Sequence, residues 1–258
     1  MKNFTENYAL NNLSKRVIEF IRELEQPHRD SNKKDFEGHL ERLYKTGEFS
    51  KQDYLFAKAR ILLNRFCYDV EKKIGRDVKV GILFYCQDRK LLCYGAGAHY
   101  PQKMKEYCVL QRPSLDLESS IHYQNDVVRL NNIDDWYSID SDSQNFVPLF
   151  KECGIKSMFS KRMRLNGLTF GTIEVYFPHY DGITDEEILY IREKLQPVKE
   201  KLYHIREEMI EAVETAIERM GPENYSNNTA TFLTFSAACL LPILEGMFPL
   251  AGKLINIT

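Results

Sequence analysis

Apolar residues recur every three to four positions along the first quarter of the chain. Leu13, Val17, Phe20 or Ile21, and Leu24 form one stripe between charged flanks, which predicts an amphipathic helix over Asn11–Glu25. The polar stretch Gln26–Asp35, which contains Pro27, breaks it. A second helical pattern covers Phe36–Tyr44. Ser50 is then placed to cap a long helix over Lys51–Ile74, whose stripe is Tyr54, Leu55, Ala59, Leu62, Leu63, Phe66 and Val70. Gly75 follows it, where a left-handed cap costs least.

The period then changes to two. Asp77–Cys86 reads as a strand, and Arg89–Gly97 as its hairpin partner across Gln87-Asp88. From Ala98 to Ser143 the pattern is weaker. It suggests a short helix at Ser114–Gln124, a strand at Asp126–Ile133 and a loop over Asp134–Gln144, then a helical turn from Asn145 to Glu152 that Cys153-Gly154 ends. Two alternating runs, Lys156–Leu165 and Leu168–Phe177, flank Asn166-Gly167, the dipeptide of a tight hairpin turn. Met163 and Leu165 share one face of the first; Ile173, Val175 and Phe177 share one face of the second. The opposite faces carry Arg162, Arg164, Thr172, Glu174 and Tyr176. The apolar side calls for a layer of helices; the polar side is charged yet aromatic.

Thr184 and Glu187 form a capping box, with Asp185 and Glu186 at the positive end of the helix they open. Ile188, Ile191, Leu195, Val198, Leu202, Ile205, Met209, Val213 and Ile217 continue it as a long amphipathic helix, bent or broken near Pro197. A polar linker leads to an apolar tail, Ala230–Ile255, interrupted by Pro242, Glu245, Pro249 and Lys253. The tail is long enough for a hydrocarbon core that takes about 20 residues, but an internal carboxylate is costly there. Three readings stay open: insertion in a membrane, packing on a partner or second protomer, and a buried closing helix.

Composition narrows the field. The 258 residues carry a formal net charge of -2, so no global field draws the chain to nucleic acid. The six cysteines show neither CxxC spacing nor a zinc pattern with His, which suits free thiols in a reducing cytoplasm. Met1–Val17 lacks the apolar core of a secretory leader. No Gly-x-Ser-x-Gly, P-loop or His-Glu-x-x-His motif is present, so the sequence gives no support for a hydrolase, catalytic residues or a metal site.

The segment Glu152–Leu195 resembles the C-terminal half of a GAF domain. The residues that carry the resemblance are Gly154, Ser157, Gly167, Gly171, Ile173, Val175, Ile183, Thr184, Glu186 and Glu187, in that order. It extends over about Ser50–Ile205 and is weakest over Ala98–Ser143. The resemblance implies an α+β fold: a GAF-like central antiparallel sheet with flanking helices on one face and a small-molecule pocket on the other, roofed by the variable middle segment. Around it the chain adds N-terminal helices and a long C-terminal helix with the apolar tail. The divisions are an N-terminal helical segment (1–49), the GAF-like domain (50–205), a helix extension and linker (206–229) and the tail (230–258).

On that reading Arg162, Arg164, Glu174 and Tyr176 floor the pocket. They either contact a ligand or form a solvated face with cross-strand Arg–Glu pairs. Tyr107, Tyr123, Trp136 and Tyr137 lie where a roof belongs, and either enclose a ligand or fill the space themselves. The Asn-Lys-x-Asp-Glu series of cyclic-nucleotide-binding members is absent, and His99 with Cys108 is a poor match to a bilin attachment site. The expectation is a sensor or regulatory protein, not an enzyme. It binds an unidentified small molecule and signals through its terminal helices to a homodimer partner or a membrane. It is cytoplasmic, or membrane-associated if the tail inserts. The alternatives are a ligand-free dimerisation module and, on the pattern of one GAF branch, a methionine sulfoxide reductase using Cys86, Cys93 and Cys108.

Overall fold

A computed structural model of the chain describes residues 15–25, 35–86, 91–107, 125–139, 141–165, 168–180 and 182–220. Tyr123, the turn Asn166-Gly167, the suggested helix Ser114–Gln124 and the tail Ala230–Ile255 lie outside them. The elements in order are α1 (Lys15–Glu25), α2 (Phe36–Lys45), α3 (Lys51–Ile74), β1 (Lys79–Cys86), β2 (Leu91–Ala98), α4 (Gln102–Glu106) and β3 (Val127–Leu130). A 3-10 helix (Ile133–Ser138), α5 (Ser143–Glu152), β4 (Ser157–Leu165), β5 (Leu168–Phe177) and α6 (Asp185–Met220) complete them.

The strands form one five-stranded sheet in the order β2-β1-β5-β4-β3. Every neighbouring pair is antiparallel. Two hairpins, β1–β2 and β4–β5, are joined when β5 pairs with β1, so β5 becomes the central strand. Ile82 lies opposite Ile173, and Val175 lies between Val80 on one side and Phe159 on the other. Over its central strands one face of this sheet is apolar, with Lys161 and Arg129 on the same face toward the β3 edge. Val80, Ile82, Ala96, Ala98, Phe159, Met163, Ile173, Val175 and Phe177 pack with Leu55, Ala59, Leu63, Phe66 and Val70 of α3 and Ile191, Leu195, Val198, Leu202 and Ile205 of α6. This is the α+β architecture that the alternating strands require: a sheet with a helical layer on its oily face.

Both main helices are fixed at their ends by the residues the sequence points to. The Ser50 hydroxyl accepts from the Asp53 amide at 3.1 Å while the Asp53 carboxylate accepts from the Ser50 amide at 3.2 Å. Gly75 ends α3 with φ of 65°. Thr184 and Glu187 exchange the equivalent bonds at the start of α6, at 3.3 and 2.8 Å. Arg76 then reaches from the turn after α3 to both Glu187 oxygens, at 2.6 and 2.7 Å, tying the end of one helix to the beginning of the other. On the outward side of α3, Ala57 and Ile61 pack against Val17, Phe20 and Leu24 of α1 and Leu40 of α2.

Three details differ from the pattern reading. Asp134–Gln144 is not simply loop: Ile133–Ser138 forms a 3-10 helix, capped by the Asn132 carboxamide on the Asp134 amide at 3.0 Å, and α5 begins at Ser143. Helix α6 is not broken at Pro197. That proline is on the exposed side, where solvent can satisfy the carbonyl its missing N–H leaves open, and the buried stripe runs on unbroken. The short helix α4 had no periodic signal. Among the described residues no helix is long and apolar enough to cross a membrane.

Ile173 is wholly buried between the sheet and both long helices. Ile173→Ala is expected to cost roughly 2–5 kcal/mol, whereas Leu189→Ala, on an exposed side chain, should stay within about 0.5 kcal/mol. Urea unfolding of the two variants beside the unaltered chain measures both.

Candidate functional site

The second face of the sheet follows from the same alternation. Across β4 and β5 the register pairs Met158 with Tyr176, Ser160 with Glu174 and Arg162 with Thr172. Across β5 and β1 it pairs Glu174 with Gly81 and Thr172 with Leu83. These side chains form a floor with two unlike halves.

The apolar half is filled by protein. Met158, Tyr176, Val128, Leu130 and Leu83 meet Ile133 and Trp136 of the 3-10 helix, Phe146, Val147 and Phe150 of α5, and Met104 of α4. Trp136 stacks on Phe146 with ring centres 5.7 Å apart and 9° between planes. Phe150 meets Tyr176 edge-on at 5.2 Å, and Tyr107 meets Phe146 edge-on at 5.5 Å. Trp136 is therefore a core residue that joins the overlying layer to the floor. Tyr137, its neighbour, points outward and is exposed.

The polar half lies one step further along β4 and β5. Ser160, Thr172 and Glu174 are all buried, Glu174 to 4% exposure. The Glu174 carboxyl accepts from the Thr172 hydroxyl at 3.1 Å and from the Tyr176 hydroxyl. Both donors sit two residues away on the same strand face, so the strand itself supplies them. Burial pushes the Glu174 carboxyl from 4.5 up to about 7, and the Thr172 bond works against that rise.

Arg162 borders this half with its side chain only 8% exposed. Its Nε and Nη2 donate to Asp126 Oδ1, just before β3, at 3.1 and 2.6 Å. Arg164 approaches the same oxygen at 3.3 Å, but from the rim: a register shift between Met163 and Arg164 leaves its side chain half exposed. The hydrogen bond from Arg162 and the charges of both arginines hold the Asp126 carboxyl below the usual range.

The structure therefore brings Arg162, Glu174 and Tyr176 together on one floor, places Arg164 at its edge, and puts Trp136 and Tyr107 in the packed layer above the apolar half. Pattern reasoning passed over Tyr100, Ser160, Phe146, Phe150 and Asp126. Tyr100 had a signal. Its ring lies against the sheet over Gly81 and Gly97, and a β-carbon on Gly81 would stand 2.3 Å from it. Two glycines on neighbouring strands marked a place where something flat approaches the backbone. No group of metal-ligating side chains occurs among the described residues. Of the cysteines, Cys67 is buried and Cys153 half-buried, with burial raising both thiols. The side chains of Cys86, Cys93 and Cys108 fall outside the described residues.

Glu174 gives a pH-dependent stability of definite sign. The folded chain keeps this proton up to about pH 7, while an unfolded chain releases it near 4.5. The folded state binds more protons in that window, so this group's contribution falls as pH rises through it, by a few kcal/mol at most. In thermal unfolding at pH 5 and pH 8, Glu174→Gln should gain on the unaltered chain at the higher pH. Parallel curves for the two proteins would show that the carboxyl does not titrate there.

No family model matches the sequence, and no curated protein sequence is similar to it. Solved structures do resemble the fold. The GAF domain/HD domain protein from Geobacter sulfurreducens is similar with a TM-score of 0.46 and 10% identity, over 57% of this chain and 94% of that one. The GAF domain of a phosphoenolpyruvate-protein phosphotransferase from Coxiella burnetii is similar with a TM-score of 0.42 and 9% identity, over 75% and 96%. The type II free methionine-R-sulfoxide reductase from Thermoplasma acidophilum is similar with a TM-score of 0.42 and 14% identity, over 56% and 92%. The chain's own topology is what the resemblance in Glu152–Leu195 implies: a central antiparallel sheet, the long helices on one face and the middle segment on the other. The described body has a GAF-like fold.

Proposed function

We infer that the chain is a GAF-type regulatory sensor. It reads a small polar molecule at the polar half of the sheet floor, with Glu174 and Tyr176 as the principal contacts and Arg162 and Ser160 beside them. The observation that carries this reading is the contiguous set of buried polar side chains, Ser160, Thr172 and Glu174, on the central strands. Burying a carboxyl is costly, and an apolar residue there would fold as well or better. A recognition role accounts for keeping it. Glu174 can meet a ligand as a donor when protonated and as an acceptor when charged. No step of this reading is catalytic.

Transmission follows from the strand. Ile173 and Val175 flank Glu174 in sequence and face the opposite layer, packed on α3 and α6. A ligand that favours one setting of β5 biases those helices with it. The output then leaves through α6 toward a second protomer, or toward a membrane engaged by Ala230–Ile255.

A second reading draws on the aromatic cluster of Trp136, Phe146 and Phe150, which closes the apolar half with side chains alone. If the polar half is closed as well, the domain is a ligand-free interaction module.

The two separate in one experiment. Native mass spectrometry of the full chain, compared with its denatured mass, should show an added small-molecule mass that Glu174→Ala with Tyr176→Phe removes. Identical native and denatured masses, together with no thermal shift across a panel of polar metabolites, would favour the ligand-free module.

A further inference from the structure

Strand β4 has a second polar feature, on its other face. Lys161 lies opposite Ile173 in the register, so it points to the helical side, and its partner on β3 is Val127. Here the helical layer gives out. Val127 is 38% exposed, and Leu189 on the adjoining flank of α6 is 53% exposed. Leu189, Arg192, Gln196 and Lys199 are spaced three and four apart, so they share one face of α6. This face lies beside the β3–β4 edge, and the strip between them is called the trough. Arg129 of β3 closes one end by pairing with Asp185 at 2.5 Å, and Lys199 closes the other by donating to the Arg164 carbonyl at 3.4 Å.

Lys161, Arg192 and Lys199 crowd positive charge into the trough, and the acids beside it are engaged elsewhere. Lys161 feels Arg192, Lys199 and Arg162, all of which disfavour its charged form, against Asp126 alone in favour. Lys199 has Glu200 nearby, but that carboxylate already accepts from Gln196 at 3.0 Å. Among the described residues neither Lys161 nor Arg192 forms an ion pair. Burial also disfavours the charge on both lysines, so the cluster is held together at a cost.

We propose that this trough between α6 and the β3–β4 edge docks an acidic polypeptide segment of a partner protein, with carboxylates on Lys161, Arg192 and Lys199 and an apolar side chain on Leu189 and Val127. The dimensions favour a peptide over a single phosphate. Arg192 and Lys199 are separated by about 10 Å of helix rise, which is about three residues of extended chain. The exposed leucine and valine offer a phosphate nothing. Charge complementarity sets the class of partner, and the apolar pair supplies contact that charge alone lacks.

The test uses the full chain and a short fluorescein-labelled peptide of alternating Glu and Leu, with a second peptide carrying Gln in place of each Glu. Anisotropy should show the Glu peptide binding at low salt and weakening by about tenfold or more at high salt. Lys161→Glu with Arg192→Glu should weaken it by at least as much, and Leu189→Gln by a few-fold. Lys103→Glu, a surface cation on the far side already paired with Glu152, should leave binding unchanged. Should the charge reversals disturb folding, Lys161→Gln with Arg192→Gln serves instead; relieving the like-charge cluster ought to raise its melting temperature. The proposal is overturned if either double variant, shown to be folded, binds as well as the unaltered chain. Equal binding of the Gln peptide overturns it too, as does tighter binding of pyrophosphate or anionic vesicles than of the Glu peptide.

Discussion

The carboxyl of Glu174 sits at the middle of the central strand, enclosed on a sheet whose two faces are both covered. That position governs what the rest of the molecule can be. A strand covered on both sides normally reads as a continuous apolar run, because every side chain leaves water. Strand β5 does not. Its odd residues, Ile173, Val175 and Phe177, meet the helices, while Thr172, Glu174 and Tyr176 share the other face, where Tyr176 packs on the opposite layer, and all of them are buried. The polar set is tolerable because it is self-supporting: the hydroxyls two residues before and after Glu174 both donate to it. Replacing either neighbour would leave the carboxyl poorer in partners, so the three residues stand or fall as a unit.

The helical side supplies the rigidity this arrangement needs. Helices α3 and α6 are joined through Arg76, whose guanidinium holds Glu187 in a bidentate pair and lies 5.4 Å over the ring of Phe177 at the end of β5. Glu187 also completes the cap of α6. One carboxylate therefore fixes where α6 starts, how it meets α3, and how both meet the central strand. In the opposite layer Trp136 has the comparable role, joining the 3-10 helix to α5 through Phe146 and Phe150. The central strand is thus tied to packed elements on both sides.

Much of this was legible before any coordinates. Alternation in Leu168–Phe177 assigned each side chain to its face, and the Thr184–Glu187 box located the start of α6 to the residue. Ser50 and Gly75 bounded α3 correctly. What alternation could not say is whether a polar face meets water or protein. Arg162, Arg164, Glu174 and Tyr176 look alike in that respect, yet Glu174 is buried and Arg164 lies half in solvent after a register shift. The layer above the floor was harder still, because the 3-10 helix and α4 are too short to establish a period. Trp136 and Tyr137 are adjacent aromatics in a polar stretch, and only the turn between them decides that one is core and the other surface.

Strand β4 places the two polar features of the molecule back to back. Ser160 and Arg162 face the floor where Glu174 lies; Lys161, between them, faces the trough beside α6. Consecutive residues on a strand cannot shift independently, since each displacement of the backbone moves both faces. Arg162 is pinned to Asp126 by its side chain and by its own amide, which donates to the Asp126 carbonyl at 2.9 Å. A rearrangement that loosens Arg162 from Asp126 therefore bears on Lys161 as well, since both cations lie within the influence of that carboxylate. Strand β4 thus couples the floor and the trough through its own backbone.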